Sequence, residues 1–197
     1  AYVMGLEDCG SELNWGPSWS SDEDVLPNMT RANGAENDMN GYAETEAMLA
    51  ERASKGDLGN YDTFKAINDY RTSNPVPSDL SDKRSPWFIP SVGQWFDVMA
   101  NLCGRSPKTF RVDDSENWID SDYGTEMWNK INNQLNKVNK PLTLILFNSG
   151  VFFMCSSEGE GGLCWNAIWM GNRVSLMLSS KSSGQNYKPV VRPFFAF

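Results

Sequence analysis

The spacing of apolar side chains along the chain changes from a helical period to a strand period. Residues 2–6 are predicted to form a first strand, and an irregular segment follows to about residue 43. A charge-rich segment then predicts a helix over about 44–55, and apolar positions three residues apart predict a second helix over about 62–71. A group of prolines between residues 75 and 86 predicts a connector after the second helix.

A better-defined helix begins after Ser91. A serine followed three residues later by Gln94 predicts a capping box, in which each side chain satisfies a backbone amide of the first turn. The core-facing stripe of this helix is predicted to be Val92, Trp95, Phe96, Met99 and Cys103. Another amphipathic helix is predicted over about 126–138. Its apolar face consists of Trp128, Ile131, Leu135 and Val138.

The last third of the chain has the composition of strands separated by turns rich in glycine, asparagine and serine. The predicted strands are residues 142–147, 151–155, 164–170, 173–178 and 190–197. Because helices come first and an antiparallel sheet later, the predicted fold class is α+β. The last strand is expected to pair with the first.

Composition then excludes several classes of function. The chain has 25 Asp and Glu against 17 Lys and Arg, a net charge of −8, and no histidine. Without histidine, Ser-His-Asp and Cys-His catalytic arrangements and histidine-ligated zinc sites are excluded. The acidic balance argues against a nucleic-acid partner, which is expected to meet a basic surface. No run approaches the ~20 apolar residues of a membrane helix, so no transmembrane segment is predicted.

The cysteines and the first acidic cluster each allow more than one interpretation. Four cysteines permit several pairings, and the alternatives are buried free thiols or a disulfide between Cys155 and Cys164, which flank a glycine-rich loop. The acidic cluster at residues 20–24 is predicted to be a solvated loop. It lacks the alternating acidic spacing and the glycine of a calcium-binding loop.

Several segments resemble one known family. The sequence Trp87-Phe88-Ile89-Pro90-Ser91-Val92-Gly93-Gln94-Trp95 is similar to the W-Y-L-P-S-x-G-E-L segment of a bacterial major-paralogous-domain family with a C-type-lectin-like fold. Ser156-Ser157-Glu158 resembles the end of its Y-W-S-S-S-E strand, residues 191–197 resemble its terminal V-R-P-V-R-A-F, and residues 41–45 resemble the approach to its first helix. The resemblance spans about residues 41–197, with gaps.

The chain also departs from this family pattern. Phe153-Met154-Cys155 replaces the usual Tyr-Trp-Ser, and Phe195 replaces the second arginine of the terminal motif. Cys164 stands where alanine is common, which favours the free-thiol alternative. The resemblance implies a C-type-lectin-like fold and a bacterial or phage-borne protein that is extracellular or on the cell surface. It implies an adhesin-like tip or a ligand-binding module, similar to the variable proteins of diversity-generating retroelements.

The residues themselves predict where a ligand would bind. If Trp165, Ala167 and Trp169 face inward, strand alternation places the residues between them outward, and the next strand follows the same rule. The outward set forms a mixed face with an apolar patch, and such a patch is typical of a binding site. The alternative is that another layer of the same domain covers this face. The predicted ligand-binding residues are Asn166, Ile168, Met170, Arg173, Ser175, Met177 and Ser179, together with Glu160 from the glycine-rich loop.

Other chemistries find less support in the sequence. A calcium-dependent lectin site would need a carboxylate directly after Trp165-Asn166, where Ala167 stands. Sugar could instead stack on Trp15, Trp19 or Trp118 if one of them is exposed. A copper-dependent cysteine oxidase of the same fold could use Cys155 and Cys164, but the nearby Glu158 and Glu160 oppose a reactive thiolate.

We therefore expect one domain over residues 1–197 that is not an enzyme and has no cofactor and no metal. Residues 1–43 form a strand and an irregular start, 44–140 a helical part, and 141–197 the sheet and ligand-display part. The expected function is recognition of a protein or carbohydrate receptor on another surface. The alternative is an adhesin or a structural subunit of a pilus tip or tail.

Overall fold

The computed structural model describes residues 1–18, 20–139, 150–182 and 188–197. Within them the helices are α1 (Gly41–Lys55), α2 (Asp62–Ser73), α3 (Val92–Asp97) and α4 (Gly124–Leu135). The strands are β1 (Tyr2–Met4), β2 (Arg111–Val112), β3 (Trp118–Asp120), β4 (Val151–Gly159), β5 (Leu163–Met170), β6 (Arg173–Ser180), β7 (Lys188–Val190) and β8 (Phe194–Ala196). The predicted strand at 142–147 lies outside the described residues.

The main sheet has the strand order β2-β3-β6-β5-β4-β7. Its neighbours pair antiparallel except β4 and β7, which run parallel. A separate two-stranded sheet joins β1 to β8 in antiparallel register, with Val3 opposite Phe195. Helices preceding a mostly antiparallel sheet, with the terminal strands paired, confirm the predicted α+β class.

The predicted single strand at 190–197 is two strands in two different sheets. β7 ends at Val190 and β8 begins at Phe194. Between them Val191 forms an isolated bridge with Cys9, and Pro193 offers only its carbonyl, which accepts from the Gly5 amide at 2.6 Å. Because proline has no amide hydrogen, it interrupts a strand ladder at this point.

The segment predicted as the helical part, residues 44–140, also contains the β2–β3 hairpin. β3 pairs with β6, placing Trp118 opposite Leu176 and Ile119 opposite Ser175. The hairpin strands have only two and three residues, so alternation within them was too short to detect. The hairpin extends the main sheet by two strands.

The helix patterns agree with the structure except at their ends. Ser91 and Gln94 form the predicted capping box, and the stripe of α3 is buried through Cys103. The helix widens into a π turn at Val98–Leu102, which keeps the stripe facing the core. The prediction that Val138 lies on the apolar face is wrong, since this residue is 52% exposed. The α-helix ends at Leu135, and the tighter 3-10 turn that follows points Val138 in a different direction.

Two apolar clusters make up the core. One lies between the main sheet and helices α3 and α4, where the ring of Trp95 stacks on Phe153 at 4.8 Å and meets Trp169 at 5.8 Å. The other joins α1 and α2 to the irregular N-terminal segment through Trp15, whose ring meets Phe64 at 4.9 Å. Within the described ranges, no helix has the length and apolar character needed to span a bilayer.

Candidate ligand-binding groove

A groove of about 310 Å³ lies on the face of β4, β5 and β6 that points away from the first core cluster. Its apolar lining consists of Phe152, Met154, Met170, Met177 and Pro189. Its polar lining consists of Asn166, Arg173, Ser175, Ser179, Ser180 and Ser182. The accessible area of this lining is mainly apolar, with polar groups distributed along it, as is common for ligand pockets.

Strand alternation places this lining as predicted. Trp165, Ala167 and Trp169 are buried in the core cluster, so the side chains between them point to the opposite face. In the pairing of β5 with β6, Asn166 lies opposite Met177 and Met170 opposite Arg173. Register and alternation together bring these outward residues into one surface.

Most of the predicted binding residues line the groove, and two do not. Those that do are Asn166, Met170, Arg173, Ser175, Met177 and Ser179. Ile168 is only 2% exposed, so its predicted exposure is wrong. It lies on a central strand between Phe152 and Ser175, and both of these neighbours are buried as well. Glu160 is exposed in the turn after β4 and does not contribute to the lining.

The floor of the groove is held by hydrogen bonds between its own side chains. Asn166 is 1% exposed, and its Nδ2 donates to Ser179 Oγ at 2.6 Å and to the Cys164 carbonyl at 3.2 Å. Ser175 Oγ lies 3.8 Å from Met177 Sδ. These contacts orient the floor, whereas Met170 and Arg173 at the other end are exposed.

Sequence reasoning missed the contribution of β4. Phe152 pairs with Ile168 and Met154 with Asn166, which carries the apolar lining onto a third strand. Alternation within β4 was available as a signal, since Phe153 faces the core between them. The register that aligns β4 with β5 depends on long-range pairing and is not visible in the sequence.

The motif residues of β4 do not line the groove and instead join this strand to the N-terminal half of the chain. The register of β4 against β5 shifts between Met154 and Glu158, which is a bulge. Ser157 Oγ donates to Asp38 Oδ2 at 2.5 Å, and Ser156 Oγ donates to Glu44 Oε2 at 2.5 Å. Consecutive serines of a regular strand would face opposite sides, so the bulge is what lets both reach the N-terminal half of the chain.

Asp38 and Glu44 form a buried acid pair where the N-terminal half of the chain meets β4. They are 2% and 4% exposed, and their hydrogen-bond donors are uncharged: the two serine hydroxyls and the Asn40 backbone amide, which donates to Asp38 Oδ1 at 3.1 Å. Burial raises the pKa of Glu44 well above its usual range, and the neighbouring Asp38 charge raises it further. Burial and the Asp38 charge thus both favour the protonated form of Glu44 in the folded state.

The start of α3, which lies in the segment that resembles the family motif, packs against the same residues. Ser91 Oγ donates to the Asp38 carbonyl at 2.5 Å, and the Val92 amide donates to Ser157 Oγ at 2.9 Å. A Cβ at Gly93 would lie 2.3 Å from the Asp38 carbonyl oxygen, so no larger residue fits there without movement. This motif maintains the packing of β4, α1 and α3 and is remote from the groove lining.

The acidic cluster at residues 20–24 is not simply a solvated loop. Asp22 is 1% exposed, and its carboxylate lies 2.7 Å from Lys181 Nζ and 3.2 Å from Arg52 Nη2. Lys181 also pairs with Glu158, and its Nζ lies 4.4 Å from the centre of the Trp15 ring. The prediction for this loop is therefore wrong at Asp22, because a distant lysine and arginine supply the charge needed for burial.

All four cysteines are free and buried. Cys164 lies opposite Glu158 in the strand register rather than opposite Cys155, so the free-thiol alternative is confirmed. Burial raises the pKa of the Cys164 thiol to about 12 and that of Cys155 well above its ordinary value. Both thiols are thus protonated and enclosed at neutral pH.

Two of the three tryptophans considered for sugar stacking are buried. Trp15 and Trp118 are 0% and 4% exposed, which rules them out as exposed stacking surfaces. Trp19 lies outside the described residues. Among those that the structure describes, no group of three or more histidine, cysteine or acidic side chains is placed to hold a metal ion.

Comparison with known proteins yields a structural similarity. No protein-family model matches the chain. No curated protein sequence is detectably similar to it. A fimbrial protein from Bacteroides ovatus has a similar fold, with a TM-score of 0.62 and 16% sequence identity over 100% of this chain. The similar region covers 36% of that protein, so this chain spans well under half of its length.

Proposed function

We propose that this chain is a non-catalytic recognition domain of a fimbrial-type protein on the surface of a bacterium. The observation that carries the proposal is the similarity of the whole chain to part of a fimbrial protein from Bacteroides ovatus. The adhesin or pilus-subunit alternative derived from the sequence is therefore preferred to a variable ligand-display domain.

The groove supports a recognition role within such a protein. It combines a mainly apolar lining with an exposed arginine at one end. Arginine and methionine are enriched in the centres of protein interfaces, and methionine adapts its shape to a partner. We infer that the groove contacts a receptor on another surface.

Two features support a non-catalytic role. The cysteines that a copper-dependent oxidase would use are buried and protonated, whereas a reactive thiol needs an accessible thiolate. The buried acid pair lies among backbone and serine groups at the junction of helices and sheet, and neither acid lines the groove.

A finer version of the proposal is a C-type-lectin-like domain of the kind diversified by retroelements. It is supported by the arrangement of the groove lining on the outward positions of β5 and β6, above a framework that the motif residues hold. The neighbouring DNA tests it. A reverse transcriptase gene and a near-copy of the 3′ end, differing at adenines, would support diversification. If both are absent, the proposal of a diversified domain fails and the fimbrial proposal remains.

Location on a fimbria is tested by antibodies raised against the purified domain. Immunogold electron microscopy of the producing bacterium should show label along or at the tip of surface filaments. Label confined to the cytoplasm would contradict the proposal.

The recognition role is tested with a triple variant in which Met170, Arg173 and Met177 become serine. These side chains are exposed or partly exposed, so we expect lost adhesion to receptor-bearing cells and a nearly unchanged melting temperature. Ile168 is left intact because it is buried. The matched control replaces exposed residues elsewhere: Leu80, Arg111 and Val138 to serine. Adhesion that is lost equally in both variants would contradict the role of the groove.

A further inference from the structure

Arg173 is the one formally charged residue among the described lining of the groove. It is exposed, and in the part of the chain that the structure describes no carboxylate lies within ion-pair distance of its guanidinium. The chain as a whole has a net charge of −8. An unpaired cation at the end of an apolar groove, in an acidic protein, indicates that the site is complementary to an anion.

The apolar part of the groove lies next to this charge. Met170 is opposite Arg173 in the β5–β6 pairing, and Met177 and Met154 flank Asn166 from the two neighbouring strands. The volume of about 310 Å³ is at the lower end of ligand pockets, which span roughly 300–1,000 Å³. A groove of this size holds a side chain or short segment rather than a domain surface.

We propose that the groove binds a short segment of a partner protein in which a bulky aliphatic side chain adjoins a carboxylate. The aliphatic side chain packs against Met170 and Met177, over a floor that includes the buried Met154, and the carboxylate accepts hydrogen bonds from the Arg173 guanidinium. This inference rests on the proposed recognition function and specifies the chemistry of its ligand. Arginine suits the role because its planar donors match a carboxylate in two parallel hydrogen bonds.

The lining is less suited to a glycan. Sugar rings are commonly held by aromatic faces, and the tryptophans of β5, Trp165 and Trp169, point into the core instead. The aromatic residue among the described lining is Phe152, which is only 7% exposed. Methionine side chains in its place favour a flexible aliphatic group.

The direct test uses three peptide probes of one length and the complete 197-residue chain. They are acetyl-Gly-Leu-Asp-Gly-amide, its uncharged asparagine counterpart, and acetyl-Gly-Ala-Asp-Gly-amide. Binding is followed by NMR, as shifts of backbone amides in β5 and β6. We expect the leucine–aspartate peptide to bind about tenfold more tightly than either of the others, a difference of about 1.4 kcal/mol. Glucuronate serves as the probe for an acidic glycan.

Arg173→Gln should remove the preference for aspartate over asparagine while retaining the preference for leucine over alanine. Arg111→Gln is the matched control, since Arg111 is an exposed arginine on β2 that does not line the groove, and both preferences should persist. Equal binding of the aspartate and asparagine peptides to the unmodified chain would overturn the inference. So would the absence of any shift in β5 and β6, or glucuronate binding as tightly as the leucine–aspartate peptide.

Failure of this inference is separable from failure of the proposed function. If the peptides show no charge preference but the triple serine variant still loses adhesion, the groove recognises a receptor of different chemistry. If that variant retains full adhesion, the recognition function itself fails.

Discussion

The ammonium group of Lys181 lies 2.7 Å from the Asp22 carboxylate, although 159 positions separate the two residues. Both are buried, and Glu158 and Arg52 complete a cluster of two cations and two anions. The cluster fixes the irregular N-terminal segment against the end of β6. Each charge is buried only because the others are present, so removal of one should be costly.

Lys181→Ala is therefore expected to reduce the free energy of unfolding by about 3–5 kcal/mol, because it leaves Asp22 and Glu158 buried without their shared cation. Urea denaturation followed by tryptophan fluorescence measures the change. Lys65→Ala is the control: its pair with Asp69 is more than half exposed, and such pairs contribute about 1 kcal/mol or less. Similar losses in both variants would contradict the importance of the buried cluster.

The acid pair predicts how stability depends on pH. Glu44 has a raised pKa in the folded state, so between its ordinary value of 4.5 and the raised value the folded chain keeps a proton that the unfolded chain releases. Stability should fall as pH rises through this window. Glu44→Gln should weaken that pH dependence and increase stability at neutral pH, because an amide donates to Asp38 without a titrating proton.

The measurement for Glu44 is the free energy of unfolding at several pH values from 5 upwards. Glu126→Gln is the matched control, since the Glu126 side chain is 56% exposed on α4 and should leave the pH slope unchanged. A steeper slope or a less stable protein with Gln at position 44 would show that the pair is ionised in the folded state.

Because α3 lies close to the Asp38 backbone, adding one methyl group at Gly93 should lower the stability of the fold. Gly93→Ala places a Cβ 2.3 Å from the Asp38 carbonyl oxygen, so we expect a loss of about 1–3 kcal/mol from overpacking. Gly59→Ala has no heavy atom within 4 Å of the added carbon and serves as the control. Thermal unfolding monitored by circular dichroism compares the two. Equal melting temperatures would contradict the close approach.

The buried thiols should react slowly with added thiol reagents. Cys9, Cys103, Cys155 and Cys164 are buried, and burial raises the pKa of Cys9 and Cys103 to about 12. We expect no rapid reaction with a chromogenic disulfide reagent at neutral pH in the native protein, and reaction of all four thiols in denaturant. Fewer than four in denaturant without reductant would indicate a disulfide.

Local patterns determined much of what the sequence showed. The capping box at Ser91 and the inward set of β5, represented by Trp165, depend on neighbours within a few residues, so their spacing is enough to identify them. The same alternation placed Met170 and Arg173 on the outward face. Pairing of the terminal strands was also expected, although the interruption by Pro193 was not.

Tertiary structure decided which outward residues are accessible and which charges are buried. Ile168 and Met170 both point to the outward face of β5, yet Ile168 is 2% and Met170 is 40% exposed. The difference arises because exposure depends on the residues of the neighbouring strands. Met154 reaches the groove only through the register of β4 with β5, and Asp22 is buried only because Lys181 meets it from the other end of the chain. Spacing within a segment reflects local geometry, whereas register and charge pairing arise from contacts between distant segments.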